Sequence, residues 1–230
     1  MQIEIWSDIA CPWCYIGKRR FEAALAQFAH RDAVAVTYRS YQLDPTLPEH
    51  YDGTEAEYLA SRKGIPVEQA EQMFAHVAQQ ARTVGLAYDF DALVVANSMR
   101  AHQILHLAHE HGVQSEVKEA LLAAHFEQGR DIGDPGLLAC IASAEGVPVD
   151  AVQHELATGS RIPAVQQDVA DARALGIQGV PCVVIDRQYA VSGAQPTETF
   201  LGALEQAWAA RSPLQPVGAA DGEVCGPDGC

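Results

Sequence analysis

The stretch Ile3-Glu4-Ile5-Trp6-Ser7-Asp8-Ile9-Ala10-Cys11-Pro12-Trp13-Cys14-Tyr15-Ile16-Gly17 decides how the rest of the chain is read. Residues 3–8 alternate apolar and polar, the pattern of a short strand. From Pro12 to about Ala29 the period becomes helical, with Phe21, Leu25 and Phe28 on one face. Two cysteines three positions apart therefore fall where a strand gives way to a helix, with Cys11 at the helix start and Cys14 one turn later. There the unpaired N–H groups and the helix dipole favour an anion on the Cys11 sulfur. Pro12 costs nothing in the first turn, where its missing N–H has no intrahelical partner.

Lowering a thiol pKa from about 8.5 to about 6 takes ~3.4 kcal/mol of thiolate stabilisation. The dipole supplies ~0.3–2 kcal/mol. Hydrogen bonds from the N–H groups of Trp13 and Cys14 and from the Cys14 thiol must add the rest. The expectation is that Cys11 attacks as a thiolate and Cys14 resolves the mixed disulfide. Half of a zinc site is the alternative, but no second ligand pair lies nearby in sequence.

Outward from the motif, residues 34–41 alternate again and predict a second strand, closing a strand–helix–strand unit with a crossover helix. Residues 52–176 read as almost entirely helical, with helices near 54–63, 66–84, 92–111, 114–128, 135–145, 149–158 and 163–175. Asp134-Pro135 signals one start and Gly112 one end. Gly179-Val180-Pro181 then leads a buried strand through Asp186. Asp186-Arg187-Gln188 turns into a second strand at 189–193, and Gln195-Pro196 opens a final helix carrying Phe200, Leu204 and Trp208. The expected organisation is α/β, with residues 1–50 and 163–212 forming one unit and 51–162 an all-helical insertion. Residues 213–230 read as a flexible tail ending in Cys225-Gly-Pro-Asp-Gly-Cys230.

The 230 residues can bury a sizeable core without disulfide staples. A formal net charge of −15 argues against a nucleic-acid binder, which needs a basic face. No apolar run approaches the ~18 residues of a membrane span. Met1-Gln2-Ile3-Glu4-Ile5 has neither a basic leader nor an apolar block, so the expected compartment is the cytoplasm. Structural disulfides are rare there, which turns the reading of the six cysteines toward chemistry, metal or packing.

The motif at the first helix together with Gly179-Val180-Pro181 resembles the thioredoxin superfamily, and the helical insertion resembles its DsbA-like branch. Trp6-Ser7-Asp8, Asn97-Ser98 with Ala101-His102, Glu127-Gln128-Gly129-Arg130-Asp131-Ile132 and Ser192-Gly193-Ala194-Gln195-Pro196 resemble the FrnE-type cytoplasmic members, over roughly residues 1–210. The resemblance implies a thioredoxin-like fold and a thiol–disulfide oxidoreductase or isomerase acting on protein thiols. It implies a cis Val180–Pro181 bond whose loop pairs with an extended substrate, leaving Trp13, Val180 and Pro181 as substrate-binding residues. It also makes Cys225 and Cys230 a second redox pair. A metal-binding or inert tail is the alternative reading of those two. Neither cofactor nor resident metal is called for, and glutathione or a thioredoxin-type reductant are the candidate electron partners.

Two other classes stay open. Glutathione-dependent isomerases and transferases share the helical insertion but carry serine where Cys11 stands. A thiol-rich metal-binding stress protein would bind metal without turnover. Among the remaining residues, Cys140 and Cys182 are expected to be packing. Trp6 is expected in the core, and Trp13 and Tyr15 offer apolar surface to a peptide. Asp8 either caps the turn or tunes the thiol. His102, His106 and His109 share a helical face and are expected to edge the core or meet solvent rather than hold a metal.

Overall fold

A computed structural model describes residues 1–211. The expected pair Cys225 and Cys230, and the tail that carries them, lie outside the described residues. Alternating residues produce β1 (Gln2–Ser7), β2 (Ala35–Ser40), β3 (Cys182–Ile185) and β4 (Tyr189–Ser192) in a sheet of order β2-β1-β3-β4. β1 and β2 run parallel across the crossover helix α1 (Pro12–Gln27), while β3 and β4 are antiparallel additions. Asp186 and Arg187 both take positive φ in the hairpin turn, 48° and 53°.

The strand period of two sorts the core. Ile3, Ile5, Val183 and Ile185 face α1 and the C-terminal α9 (Thr197–Ala209), meeting Phe21, Phe28, Phe200 and Leu204. Trp6, Cys182 and Val184 face the other way, onto Ala172. That alanine belongs to α8 (Ile162–Ala174). The remaining helices are α2 (Glu55–Lys63), α3 (Val67–Arg82), α4 (Met99–Glu110), α5 (Gln114–Phe126), α6 (Pro135–Ala144) and α7 (Val149–Thr158). α3 to α7 enclose a separate apolar cluster that also takes in Ile9, Tyr15 and Ile16. The motif segment thus lies between two cores.

Local chemistry explains most helix ends. Thr54 and Glu57 form a reciprocal capping box at α2, which ends on Gly64 at φ 65°. The Asp134 side chain accepts from Gly136 N and Leu137 N at the start of α6.

Three expectations are corrected. The helix expected from residue 92 begins at Met99, because the Asn97 side chain accepts from Met99 N at 2.9 Å and donates to Leu47 O at 2.6 Å, holding residues 92–98 as an ordered loop. Cys140 is exposed, since α6 buries Leu137, Leu138 and Ala142 and turns Cys140 to the opposite side. His102 is fully buried, whereas His109 meets solvent.

Candidate active site

Cys11 is the N-cap of α1, with φ −101° and ψ 112°, and no side chain caps that turn. The open N-terminus puts both sulfurs at the junction of the two cores, each nearly enclosed. The Val180–Pro181 bond is cis. The Cys11 thiol donates to the Val180 carbonyl at 3.7 Å, so the loop and the motif touch as expected. Pro181 closes on α1 at Gly17, where a Cβ would lie 2.8 Å from the proline Cγ; only a glycine permits that approach. Arg20 braces the same corner, donating to Ala194 O at 2.7 Å and to Gln80 Oε1 at 3.1 Å. Tyr88 donates to Pro12 O at 2.7 Å and anchors the motif from the helical side.

The two thiols differ in what they face. Cys11 lines a cavity of about 510 Å³ together with Trp13, Leu43, Tyr58, Phe74 and Val180. Trp13 is half-buried and lines that space. Tyr15 does not; it is buried, and its hydroxyl donates to Glu119 at 2.6 Å. Cys14 does not line the cavity; the groups that act on it are Cys11, Ser7, Asp8 and Lys118, all of them buried.

The pair titrates as a unit. Its hydrogen bond with Cys14, then burial, then the charge of a Cys14 thiolate push the Cys11 thiol well above the usual range. Burial works against a Cys14 anion too, but the neighbouring Cys11 and Ser7 side chains and the charge of Lys118 outweigh it and leave Cys14 lowered. The two shifts run in opposite directions and belong to the pair as a unit. The helix dipole alone gives only ~0.3–2 kcal/mol, and the Val180 carbonyl opposes it by accepting the Cys11 proton.

Asp8 braces the loop, and its charge also raises the Cys11 thiol pKa. One oxygen accepts from Ala10 N at 3.3 Å and lies 3.2 Å from His102 Nε2, and the other accepts from Leu43 N at 2.8 Å. His106 meets Ser40 at 3.2 Å and Asp168 at 3.0 Å instead of facing the motif. Cys182 is buried beside Trp6, and burial raises its thiol pKa, which fits packing. No cluster of three or more metal-ligating side chains occurs among the described residues.

Sequence reasoning missed Tyr88, Lys118 and His125. Nothing local marks them; Lys118 and Lys63 look alike until the fold buries one of them.

A family model described as a DSBA-like thioredoxin domain matches residues 2–205. The crystal structure of a probable DsbA oxidoreductase from Streptomyces coelicolor is 41% identical, covers 100% of this chain and 98% of its own, and superposes with a TM-score of 0.92. Two more distant structures share the fold. The cytosolic disulfide reductase DsbM from Pseudomonas aeruginosa with GSH has 17% identity, TM-score 0.65, and coverage of 91% of this chain and 100% of its own. A 2-hydroxychromene-2-carboxylate isomerase has 16% identity, TM-score 0.64, and coverage of 91% and 95%. A comparison with curated proteins returns no match. The thioredoxin-like fold, the strand–CxxC–helix junction and the full-length likeness converge: this chain belongs to the DsbA-like thioredoxin-domain family of thiol oxidoreductases.

Proposed function

We propose that the protein is a thiol–disulfide oxidoreductase or isomerase of protein thiols, working through Cys11 and Cys14 by mixed disulfides. The observation that carries this reading is the meeting of the Cys11 thiol with the Val180 carbonyl at the mouth of the Trp13-lined cavity. An extended client pairing its backbone with Val180 takes over that carbonyl. Released from that carbonyl, Cys11 gives its proton to solvent in the cavity and becomes the nucleophile. Client and Cys11 sulfurs bond, the client's partner sulfur leaves, and Cys14 attacks Cys11 to release the client. Each exchange moves one electron pair and conserves the number of S–S bonds.

Trp13, Val180 and Pro181 are the proposed client contacts. The FrnE-type assignment, a cytoplasmic location and an auxiliary role for Cys225 and Cys230 belong to the same reading and rest on the sequence motifs. The distant relative described as a cytosolic disulfide reductase is in keeping with such a location.

A glutathione-dependent small-molecule reaction is the second reading. The cavity favours it, since about 510 Å³ suits a compact ligand, and one structural relative is described with GSH. Paired thiols favour the first.

The Cys14→Ser variant, which cannot resolve a mixed disulfide, discriminates the two. Trapped protein clients on Cys11 support the proposal. Adducts of glutathione alone, in cells and with purified protein, overturn it in favour of the second reading.

A further inference from the structure

Glu55, the first residue of α2, is the charged group of the Cys11 cavity that the redox reading leaves unexplained. Its half-buried side chain lines that cavity together with Cys11. Among the described residues no hydrogen bond or neighbouring charge acts on its carboxyl, and burial alone pushes it up to about 7. A carboxylate drawn partly out of water without a partner works against folding, so its place on the cavity wall needs a reason.

Helical spacing puts it there. Glu55, Tyr58, Leu59 and Arg62 recur at the interval of one helix face, and all four line the cavity, while α2 packs chiefly on α3. The capping box fixes the first turn and ties the Glu57 carboxylate to Thr54. The other charged groups of the cavity are already answered. Asp44 accepts from the Tyr58 hydroxyl at 2.8 Å and pairs with Arg62 at 2.9 Å. Arg62 itself stands two turns beyond Glu55, about 10 Å along the helix axis. Asp8 is occupied by Ala10 N, Leu43 N and His102, and Lys63 is exposed to water at the rim. The charge left for a visitor is that of Glu55. Its surroundings are apolar: Leu59 and Phe74 on the wall, and Leu43 and Met73, 47% and 39% exposed, at the mouth.

We propose, resting on the redox reading above, that Glu55 is a specificity residue of the Cys11 cavity, and that the preferred protein clients carry a lysine or arginine beside the reacting cysteine. Those two side chains combine a long apolar stem with a cationic head. The stem suits Leu43, Leu59, Met73 and Phe74, and the head suits Glu55. A cation seated there favours the ionised carboxylate and offsets its burial, whereas an acidic side chain meets a like charge. The net charge of −15 draws basic clients to the molecule as a whole, but every surface acid shares in that field. Glu55 acts at the site of exchange, and that difference is what the test isolates.

The test is oxidation of three dithiol peptides by the full-length chain, the peptides being identical except that the reacting cysteine is flanked on both sides by Lys, Gln or Glu. Wild type is expected to show a KM for the Lys peptide about fivefold below that for the Gln peptide, with the Glu peptide highest. Glu55→Gln, similar in shape and without charge, is expected to bring the three KM values together. Its kcat for the peptides and its turnover of a small uncharged dithiol are expected to stay at the wild-type level. Glu68→Gln removes the same charge from an exposed position on α3 and is expected to keep the preference. Thermal unfolding checks that each variant is folded, and Glu55→Met replaces Glu55→Gln if that variant is not.

Equal KM values for the three peptides in wild type would overturn the proposal. So would a preference for the Lys peptide that survives the loss of the Glu55 charge, or one that Glu68→Gln weakens just as much. Loss of small-dithiol turnover in a folded Glu55→Gln variant would also overturn it, by placing Glu55 in the chemistry. Turnover of none of the peptides by wild type would instead remove the redox reading, and this proposal with it, so the two failures are distinct.

Discussion

The surroundings of Cys11 and of Cys14 differ more than a four-residue motif suggests. Cys11 opens on a largely apolar cavity and donates to a backbone carbonyl of the facing loop. Cys14 is enclosed among buried polar groups from β1, the loop that follows it and α5. One sulfur is placed to meet a visitor. The other is enclosed where water is excluded and electrostatic interactions are least screened. The division of labour comes from where the chain closes around each sulfur, because the helix start they share treats both as neighbours of one dipole.

The sharpest way to break this comparison is to remove each thiol in turn. Cys11→Ser is expected to lower dithiol-peptide oxidation by on the order of a thousandfold or more and to form no client adduct. Cys14→Ser is expected to lose turnover as well while accumulating adducts on Cys11. Equal adduct formation by the two variants, read by mass spectrometry, would erase the distinction between them.

A pH test probes the cavity side. His125 lines that cavity, is buried, and has its pKa pushed down from 6.5 to about 4 by burial. Below pH 6.5 the unfolded chain takes up a proton that the folded chain refuses until about pH 4, so stability falls on acidification across that window. The expected loss attributable to this side chain is on the order of 3 kcal/mol. Urea unfolding at intervals between pH 7 and 4 measures it, and His125→Gln should flatten the slope.

A smaller effect tests the closure of the proline loop on the motif. Gly17→Ala places a methyl 2.8 Å from Pro181 Cγ, so loop and helix must part. A cost of about 1–3 kcal/mol is expected, together with a raised KM for peptides and an unchanged Cys14 titration. The smallest is Trp13→Ala, for which a rise of about threefold to tenfold in peptide KM is expected, with kcat for a small disulfide little changed. Loss of kcat for both substrate types would place Trp13 in the chemistry instead of the client surface.

Much of this was legible before folding was considered. The strand–CxxC–helix order, the Gly-Val-Pro entry to the late strand and the helical periods are local patterns, and they specify the fold family and the neighbourhood of Cys11, Trp13, Val180 and Pro181. Local signals failed where a competing interaction was distant or specific. The start of α4 moved because Asn97 reaches both Met99 and Leu47. Cys140 faces outward because neighbouring helices took the other side of α6.

What the sequence by itself determined is where the paired cysteines fall and which architecture presents them, since periodicity and spacing are properties of neighbouring residues. Only the tertiary structure decided that the two thiols shift in opposite directions and that Lys118 and His125 are buried. Desolvation and unscreened charge depend on what the fold brings together. Here it gathers Asp8, Cys14, His102 and Lys118, residues far apart along the chain, into one dry site.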